Sequence, residues 1–308
     1  MDKVMKKSIK KQGFIQEIKR SRASYLLLAP YAIIFFIFLL IPILLLIFLS
    51  FTDFDMIKLP KWIGLDNYLH MLFDDDIFPV AVTNTLIFAV VTGPVGYLLS
   101  FILAWSINDL GTKLRSVLTL AFYAPTLSAN IYFIWKFIFS NDSNGIINAF
   151  LTQFGILREP ISWLSDPNYG MVVVIVVLLW TSAGTSFLAF IAGLQSLNRE
   201  LFEASAIDGI RNRWQELWYV ALPQMKPQLL LGAVFTISSA FSVGPQAMAL
   251  TGFPSTDYST HTLFLHVYDY TFNRYEFGYG SAIQVFLFAA MLAVWYFVEN
   301  NMRKWDID

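Results

Sequence analysis

The sequence predicts an all-α integral membrane protein with six transmembrane helices and both termini in the cytoplasm. Charged residues make up only 14% of the 308 residues and hydrophobic residues 56%, whereas soluble domains carry roughly a quarter charged residues. Six apolar stretches reach the roughly 17–25 residues that a helix needs to cross a bilayer. Lys and Arg are concentrated on one side of these stretches, which is the bias that sets membrane orientation.

The six apolar stretches define the predicted spans. Gly93-Pro94 is expected to interrupt the second span, and Pro125, with Ser128 and Asn130, to break the third, because proline removes a backbone donor and clashes with the preceding turn. The spans lie near 26–51, 81–107, 117–139, 171–194, 228–250 and 280–298.

Basic residues assign the two sides of the membrane. Sixteen Lys and Arg flank the spans on the side of both termini, and four lie on the other side. The positive-inside rule therefore predicts a basic cytoplasmic segment 1–24, a transmembrane domain 25–300 with a cytoplasmic loop at 195–227, and a cytoplasmic tail 301–308. The basic segment is expected to lie on anionic lipid, so membrane lipid is an expected partner and nucleic acid is not.

The residues missing from the spans exclude several function classes. There is no Cys, and the three His show no metal-ligand spacing, so neither a metal site nor a catalytic residue is predicted. Lys136 lies near the outer end of the third span, where its side chain can reach the headgroups. Ionisable groups are otherwise almost absent from the spans, and the chain has no phosphate-binding loop. Energy for uphill transport would therefore come from another chain.

Polar but uncharged side chains occur inside the fourth and fifth spans. Trp180 and Gly184, like Thr181 and Thr185, are four residues apart, which predicts adjoining strips of one helix face. Two interpretations stay open: these residues pack helices together in lipid, or they line a cavity for an uncharged polyhydroxy ligand. On the second interpretation, the candidate substrate-pathway residues are Trp180, Thr181, Thr185, Ser238, Ser239 and Ser242.

The cytoplasmic loop 195–227 is a charged segment that predicts two short helices. Asn198 is expected to cap the first, and Gly209 to end it, because glycine accepts the left-handed backbone of a tight reversal. Asn212 is expected to cap the second, with Gln215 three residues later as in a capping box. The apolar face predicted for this second helix consists of Trp214, Leu217 and Trp218.

The first of these helices has the composition of a docking surface. Glu203 offers a carboxylate to a basic partner, and the small residues Ala204 and Ser205 permit close approach. Leu222-Pro223 then returns the chain to the membrane. The alternative is an amphipathic loop that packs on the protein's own helices.

The run Glu-Ala-Ser-Ala-Ile-Asp-Gly at 203–209, followed by Leu222-Pro223, resembles the "EAA" loop of permease subunits from binding-protein-dependent ABC importers. Other segments, in order along the chain from about residue 25 to the end, are similar to the maltose-type, carbohydrate-uptake permeases. These segments are Trp-Ile-Gly-Leu-Asp-Asn-Tyr at 62–68, Asn-Thr at 84–85, Trp135, Gly-Ile-Ile-Asn at 145–148 and Phe-Gly-Tyr-Gly-Ser-Ala at 277–282.

The resemblance implies a type I ABC importer permease fold in a bacterial or archaeal cytoplasmic membrane. It implies four partners: a second similar permease, two ATPase subunits that bind ATP and Mg, and an extracytoplasmic solute-binding protein. This chain would hold no cofactor, and its cargo would be a sugar or oligosaccharide. The residues implied to couple it to the ATPase are Glu203, Ala204, Ser205, Asp208, Gly209, Leu222 and Pro223.

The sequence leaves two alternatives to a sugar permease. A permease of the same class for glycerol-phosphate, peptide or polyamine should bring charged residues into the spans. An integral-membrane enzyme needs clustered acidic and His residues, and the one dense carboxylate run, 74–76, is expected to lack a partner His or a basic phosphate clamp close by. The acidic and aromatic segments 52–79, 140–170 and 251–279 are interpreted as a platform for the binding protein, or else as solvated loops.

Overall fold

The structure is a computed structural model that describes residues 22–128 and 130–303. Most of the predicted segments 1–24 and 301–308 therefore lies outside the described residues. The described chain is built from helices, and one isolated antiparallel bridge joins Thr52 to Trp62. Among the described residues, four helices are long and apolar enough to cross a membrane, although one of them, Pro167–Gln195, has a local interruption, and two bent helix pairs bring the number of candidate spans to six. This confirms the predicted all-α membrane architecture.

Three of the spans are continuous helices: α1 at Arg22–Leu49, α3 at Phe78–Asn108 and α14 at Phe277–Arg303. The predicted interruption at Gly93-Pro94 is wrong, because α3 runs through it. Gly96 instead allows close packing, since a Cβ there would lie 3.4 Å from the Cβ of Ser182.

The other three spans are broken. The third consists of α4 (Thr112–Leu127) and α5 (Ile131–Ile138), which confirms the break predicted near Pro125. The fourth consists of α7 (Pro167–Trp180) and α8 (Thr185–Gln195). The fifth consists of α11 (Lys226–Phe241) and α12 (Pro245–Thr251), which are bent by 43°.

The break in the fourth span overturns one prediction. The helix ends at Trp180 and restarts at Thr185, and Gly184 between them has a non-helical backbone with φ of −94° and ψ of −142°. The pairs Trp180/Gly184 and Thr181/Thr185 therefore do not share a face of one continuous helix. The polar residues of this span mark an interruption of its backbone instead.

Short helices lie between the spans. On the outer side, by the predicted orientation, these are α2 (Asp66–Phe73), α6 (Ile146–Gln153) and α13 (Leu263–Tyr268). On the cytoplasmic side are α9 (Arg199–Ile207) and α10 (Arg213–Glu216), the latter extended by a π-helical turn at Leu217–Ala221 and a final turn at Leu222–Gln224.

The core nearest the cytoplasmic loop forms where α3, α8 and α11 pack together. Phe190 of α8 is fully buried, and the rings of Tyr97 and Phe101 meet it edge-on at centroid distances of 5.1 and 5.5 Å. Gly232 of α11 makes room for this ring, since a Cβ there would overlap it.

Candidate functional site

A cavity of about 520 Å³ lies where the three broken spans meet. Ser128 beyond the end of α4, Thr181 beyond the end of α7 and Thr185 at the start of α8 all line it. The uninterrupted α3 contributes Thr92 and Gly96 to the same wall. Because broken helices leave backbone polar groups without helical partners, such breaks are tolerated at membrane depth only beside protein or water. The cavity provides a polar surface beside the backbone groups at these breaks.

The cavity is polar but uncharged. None of the described residues that line it is Asp, Glu, Lys, Arg or His. The hydroxyls of Thr92, Thr126, Thr181 and Thr236 donate to carbonyls of their own helices at 2.7–3.1 Å. A hydroxyl that donates locally keeps its oxygen lone pairs as acceptors. The wall can therefore accept hydrogen bonds from a ligand that carries many OH groups.

The structure brings together half of the predicted substrate-pathway residues. Thr181, Thr185 and Ser239 line the cavity. Trp180, Ser238 and Ser242 do not: Trp180 is half exposed and packs edge-on against Trp135 at 5.2 Å.

Several lining residues have no counterpart among the predicted ones. Tyr123 and Thr126 flank Pro125, and Tyr132 follows the break in the third span, so proximity to the predicted break would have found them. Thr92 directly precedes Gly93-Pro94, so proximity to that predicted interruption would also have found it, although the helix is continuous there. Lys136, the one cation predicted within a span, is exposed in the last turn of α5 and does not line the cavity.

The predicted capping of the cytoplasmic loop is confirmed. The Asn198 side chain accepts from the Glu200 N–H at 3.0 Å at the start of α9, and that of Asn212 accepts from the Trp214 N–H at 2.7 Å. Gly209 has φ of +95°, the left-handed backbone predicted for it. Gln215 accepts from the Arg211 N–H at 3.3 Å, one residue before the predicted capping-box donor.

The helix α9 presents a largely exposed surface. Glu203, Ala204, Asp208 and Gly209 are all exposed, whereas Ser205 is buried and donates to the Phe202 carbonyl at 2.8 Å. Leu222 and Pro223 are half-buried where the chain returns to the bundle. The predicted apolar face of α10 is divided: Leu217 is buried in the core, whereas Trp214 and Trp218 are exposed.

A buried polar cluster lies on the outer side, and it corrects one prediction. Asp75, from the run at 74–76, does have a His partner: His266 Nε2 lies 2.9 Å from its Oδ2, and the Tyr279 hydroxyl donates to the same oxygen at 2.6 Å. His261 Nε2 lies 3.1 Å from His266 Nδ1. Asp75 is therefore internal and is not part of an exposed platform.

The protonation states of this cluster follow from its contacts. Burial alone would raise the pKa of Asp75, but the donors Tyr279 and His266 outweigh it and lower the pKa to about 2. Burial lowers the pKa of His261 to about 4 and also lowers the pKa of His266. A neutral His266 then donates from Nε2 to the carboxylate and accepts from His261 at Nδ1. Within the described residues, His261 Nδ1 has no hydrogen-bond partner.

Among the described residues, no group of three or more His, Cys, Asp or Glu is arranged to hold a metal ion. The side chains of the buried polar cluster are hydrogen-bonded to one another, and they come from the residues just before α3, from α13 with the residues before it, and from α14.

No family model matches the chain, but curated proteins and solved structures do. The probable ABC transporter permease YesP of Bacillus subtilis (strain 168) is 32% identical over 273 residues, which cover 86% of this chain and 85% of YesP. The probable starch degradation products permease AmyD of Thermoanaerobacterium thermosulfurigenes is 32% identical, covering 88% of this chain and 90% of AmyD. The lactose permease LacF of Rhizobium radiobacter is 29% identical, covering 91% of this chain and 94% of LacF.

A crystal structure of a bacterial ABC transporter that imports the acidic polysaccharide alginate contains a similar chain. Its TM-score is 0.75 at 25% identity, and the match covers 95% of this chain and 99% of that one. A second structure, an alginate transporter in complex with an alginate pentasaccharide-bound periplasmic protein, shows the same fold at a TM-score of 0.75 and 24% identity, covering 94% and 96%. The chain therefore belongs to the permease subunits of binding-protein-dependent ABC importers, in the carbohydrate-uptake family, and is a transport subunit and not an enzyme.

Proposed function

We propose that this chain forms half of the translocation pathway of an ATP-driven importer for a neutral sugar or oligosaccharide. The observation that carries the proposal is the uncharged, hydroxyl-lined cavity at the meeting point of three broken spans. Its volume of about 520 Å³ is within the roughly 300–1,000 Å³ of small-molecule sites. The names of relatives, among them permeases for lactose, starch degradation products and arabinooligosaccharides, support a saccharide cargo.

The charge of the cavity favours a neutral cargo. An anionic or cationic solute inside a membrane protein needs opposite charges to replace its lost hydration, and no lining residue in the part of the chain that the structure describes supplies one. Glycerol-phosphate and polyamines are therefore poor fits, as is a charged peptide. Alginate, the cargo of the similar solved transporter, is acidic, so the two permeases would differ in cargo charge.

We propose that α9 is the element that docks into an ATPase subunit. Its exposed Glu203 offers an ion-pair partner, and Ala204 leaves room for a close approach. Asp208 and Gly209 form the exposed reversal after it. The buried Ser205 bonds back to the helix, so its role is to hold α9 in shape. The half-buried Leu222 and Pro223 join α9 and α10, which we call the docking segment, to α11.

The remaining partners follow from the same proposal. Two ATPase subunits would bind ATP and Mg on the cytoplasmic side, and a second permease would complete the cavity. An extracytoplasmic binding protein would deliver the cargo to the outer segments, where Asp53, Asp74 and Asp76 are exposed. The segments 1–24, 195–227 and 301–308 would then be cytoplasmic, and the membrane would be the bacterial or archaeal cytoplasmic membrane.

Two neighbouring serines of α11 provide a matched test of the cavity. Ser239 lines it and Ser238 does not, although both are exposed. In proteoliposomes with the complete transporter, uptake of radiolabelled neutral oligosaccharides should fall strongly in Ser239→Leu and stay near wild type in Ser238→Leu. Equal effects of the two substitutions, or uptake restricted to uronic acids or other charged solutes, would contradict the proposed cargo site.

Docking is tested separately by photocrosslinking. A photoreactive amino acid at Ala204 should capture an ATPase subunit, whereas the same amino acid at the exposed outer residue Asp76 should not. Absence of an ATPase adduct at Ala204 in an assembled transporter would contradict docking through α9.

A further inference from the structure

Of the three continuous described spans, α3 is the one that lines the cavity, and it also contacts the docking segment (α9 and α10) and the outer segment 252–276. It has 31 residues, or about 46 Å at 1.5 Å per residue, and it continues unbroken where three of its neighbours are interrupted. Thr92 and Gly96 in its middle line the cavity. A continuous helix moves as a unit, whereas a broken one can bend at its break. Both ends of α3 are held by specific side-chain contacts.

The cytoplasmic end of α3 is held by Arg213, the first residue of α10. Its Nη2 atom lies 2.7 Å from Asp109 Oδ2 and donates to the Trp105 carbonyl at 3.0 Å. The guanidinium also lies 4.5 Å from the centre of the Trp105 ring, and the Trp214 ring packs on that ring at 4.7 Å. We call Arg213, Asp109 and Trp105 the cytoplasmic anchor.

The chemistry of this anchor suits the end of a helix. The last four carbonyls of a helix lack helical partners, and a cation there is favoured by the helix dipole. Arginine can meet a carboxylate, a carbonyl and an aromatic face at once because its guanidinium is planar with several donors; lysine cannot. An exposed ion pair alone stabilises a fold very little. The three contacts together fix the position of α10 relative to α3.

The outer end of α3 is held by Asp75. One carboxylate oxygen, Oδ1, accepts from the N–H groups of Ile77 and Phe78 at 3.0 Å and so caps the start of the helix. The other oxygen accepts from His266 of α13 and Tyr279 of α14.

Two side chains in the first turns of α3 extend this outer attachment. Asn84 Nδ2 donates to the carbonyls of Tyr258 and His261 at 2.9 Å, and Thr85 Oγ1 accepts from the Leu263 N–H at 2.8 Å. Both side chains are buried. We call Asp75, Asn84 and Thr85 the outer anchor.

We propose that α3 is the rod that transmits displacement of the docking segment to the outer segment 252–276, and that Arg213 is the positioning residue that joins the docking segment to this rod. The proposal rests on the proposed function, since it assumes that α9 follows an ATPase subunit. It adds that α9 and α10 act on the outer side through α3. Loss of either anchor should then leave ATP hydrolysis running without transport.

Charge exchange tests the cytoplasmic anchor. Arg213→Asp and Asp109→Arg should each lower saccharide uptake by the complete transporter at least fivefold while retaining the ATPase subunits and basal ATP hydrolysis. The double exchange, Arg213→Asp with Asp109→Arg, restores opposite charges and should recover at least half of the uptake. Lys113→Asp reverses an exposed cation on the same side of the membrane and should leave uptake unchanged.

A matched pair of threonines tests the outer anchor. Thr85→Val removes the acceptor for the Leu263 N–H with little change in shape, whereas Thr83, two residues earlier, is exposed and donates within its own helix. Thr85→Val should reproduce the uncoupled phenotype, with hydrolysis retained and uptake reduced at least threefold, and Thr83→Val should match wild type.

The outcomes separate this inference from the proposed function. If wild-type transporter moves no saccharide, the proposed function fails before any variant is compared. If the wild type and both single charge-reversal variants transport saccharide equally well, the proposed role of α3 as the transmitting rod is excluded. If the charge reversals lose the ATPase subunits, the milder Arg213→Gln and Asp109→Asn decide: normal uptake by these assembled variants also excludes the rod.

Discussion

Acidification of the outer side should destabilise this protein through His261. The side chain is 1% exposed, and burial lowers its pKa to about 4 from an ordinary 6.5. The unfolded chain therefore binds the proton more tightly than the folded one, so stability is complete above pH 6.5 and falls as the pH drops towards 4. The charged and titratable groups facing His261 are His266, Asp75, Asp269 and Arg274.

The expected loss can be worked out from these values. A difference of 2.5 pKa units between 6.5 and about 4 corresponds to roughly 3 kcal/mol once the pH is below both values, and to about 2 kcal/mol at pH 5. Burial also lowers the pKa of His266, so protonation of His266 adds to the loss of stability in the same direction. Asp75, with a pKa of about 2, stays ionised at pH 5 in both states and does not contribute there.

The assay is thermal unfolding in detergent, followed by intrinsic Trp fluorescence at pH 7.5 and pH 5. The melting temperature of the wild type should fall by several degrees between these pH values. His261→Gln keeps a donor for His266 but does not titrate, so its loss should be at most half as large. His70→Gln, at a half-exposed His on the same side, should behave as wild type. A wild-type melting temperature unaffected by pH 5, or an unchanged loss in His261→Gln, would refute this reasoning.

Three further predictions concern the docking helix and the core. Glu203→Lys should abolish uptake and substrate-stimulated ATP hydrolysis but leave membrane insertion intact; normal uptake by this variant would exclude a coupling role for α9. Gly232→Ala should cost about 1–3 kcal/mol of stability, because its Cβ would overlap the Phe190 ring, whereas Gly111→Ala, with open space around it, should melt within a degree of wild type. Gly209→Ala places a side chain at φ of +95° and should lower the melting temperature measurably, and an unchanged value would exclude strain at that turn.

Much of this fold can be predicted from local sequence signals. The spans follow from long apolar runs, and the helix starts at Asn198 and Asn212 follow from short side chains that bond nearby N–H groups. The turn at Gly209 likewise depends on one residue and its immediate neighbours. These features need no knowledge of distant contacts.

The features that escaped prediction depend on tertiary packing. Pro94 was expected to interrupt α3, yet the helix persists because it is packed on both α8 and α11. The break before Thr185 has no proline to signal it. The contact between Asp75 and His266 joins residues 191 positions apart, which no local pattern reveals. Only three of the six predicted substrate-pathway residues line the cavity for the same reason, since its wall is assembled from four separate spans.

We propose that this subunit has no energy source of its own and that a partner ATPase drives its movement. Proteoliposomes that contain the complete transporter, its binding protein and internal MgATP should accumulate a radiolabelled neutral oligosaccharide above its external concentration. Vesicles with this chain alone, or with the complete transporter and no ATP, should not. Accumulation by the chain alone would contradict the claim directly.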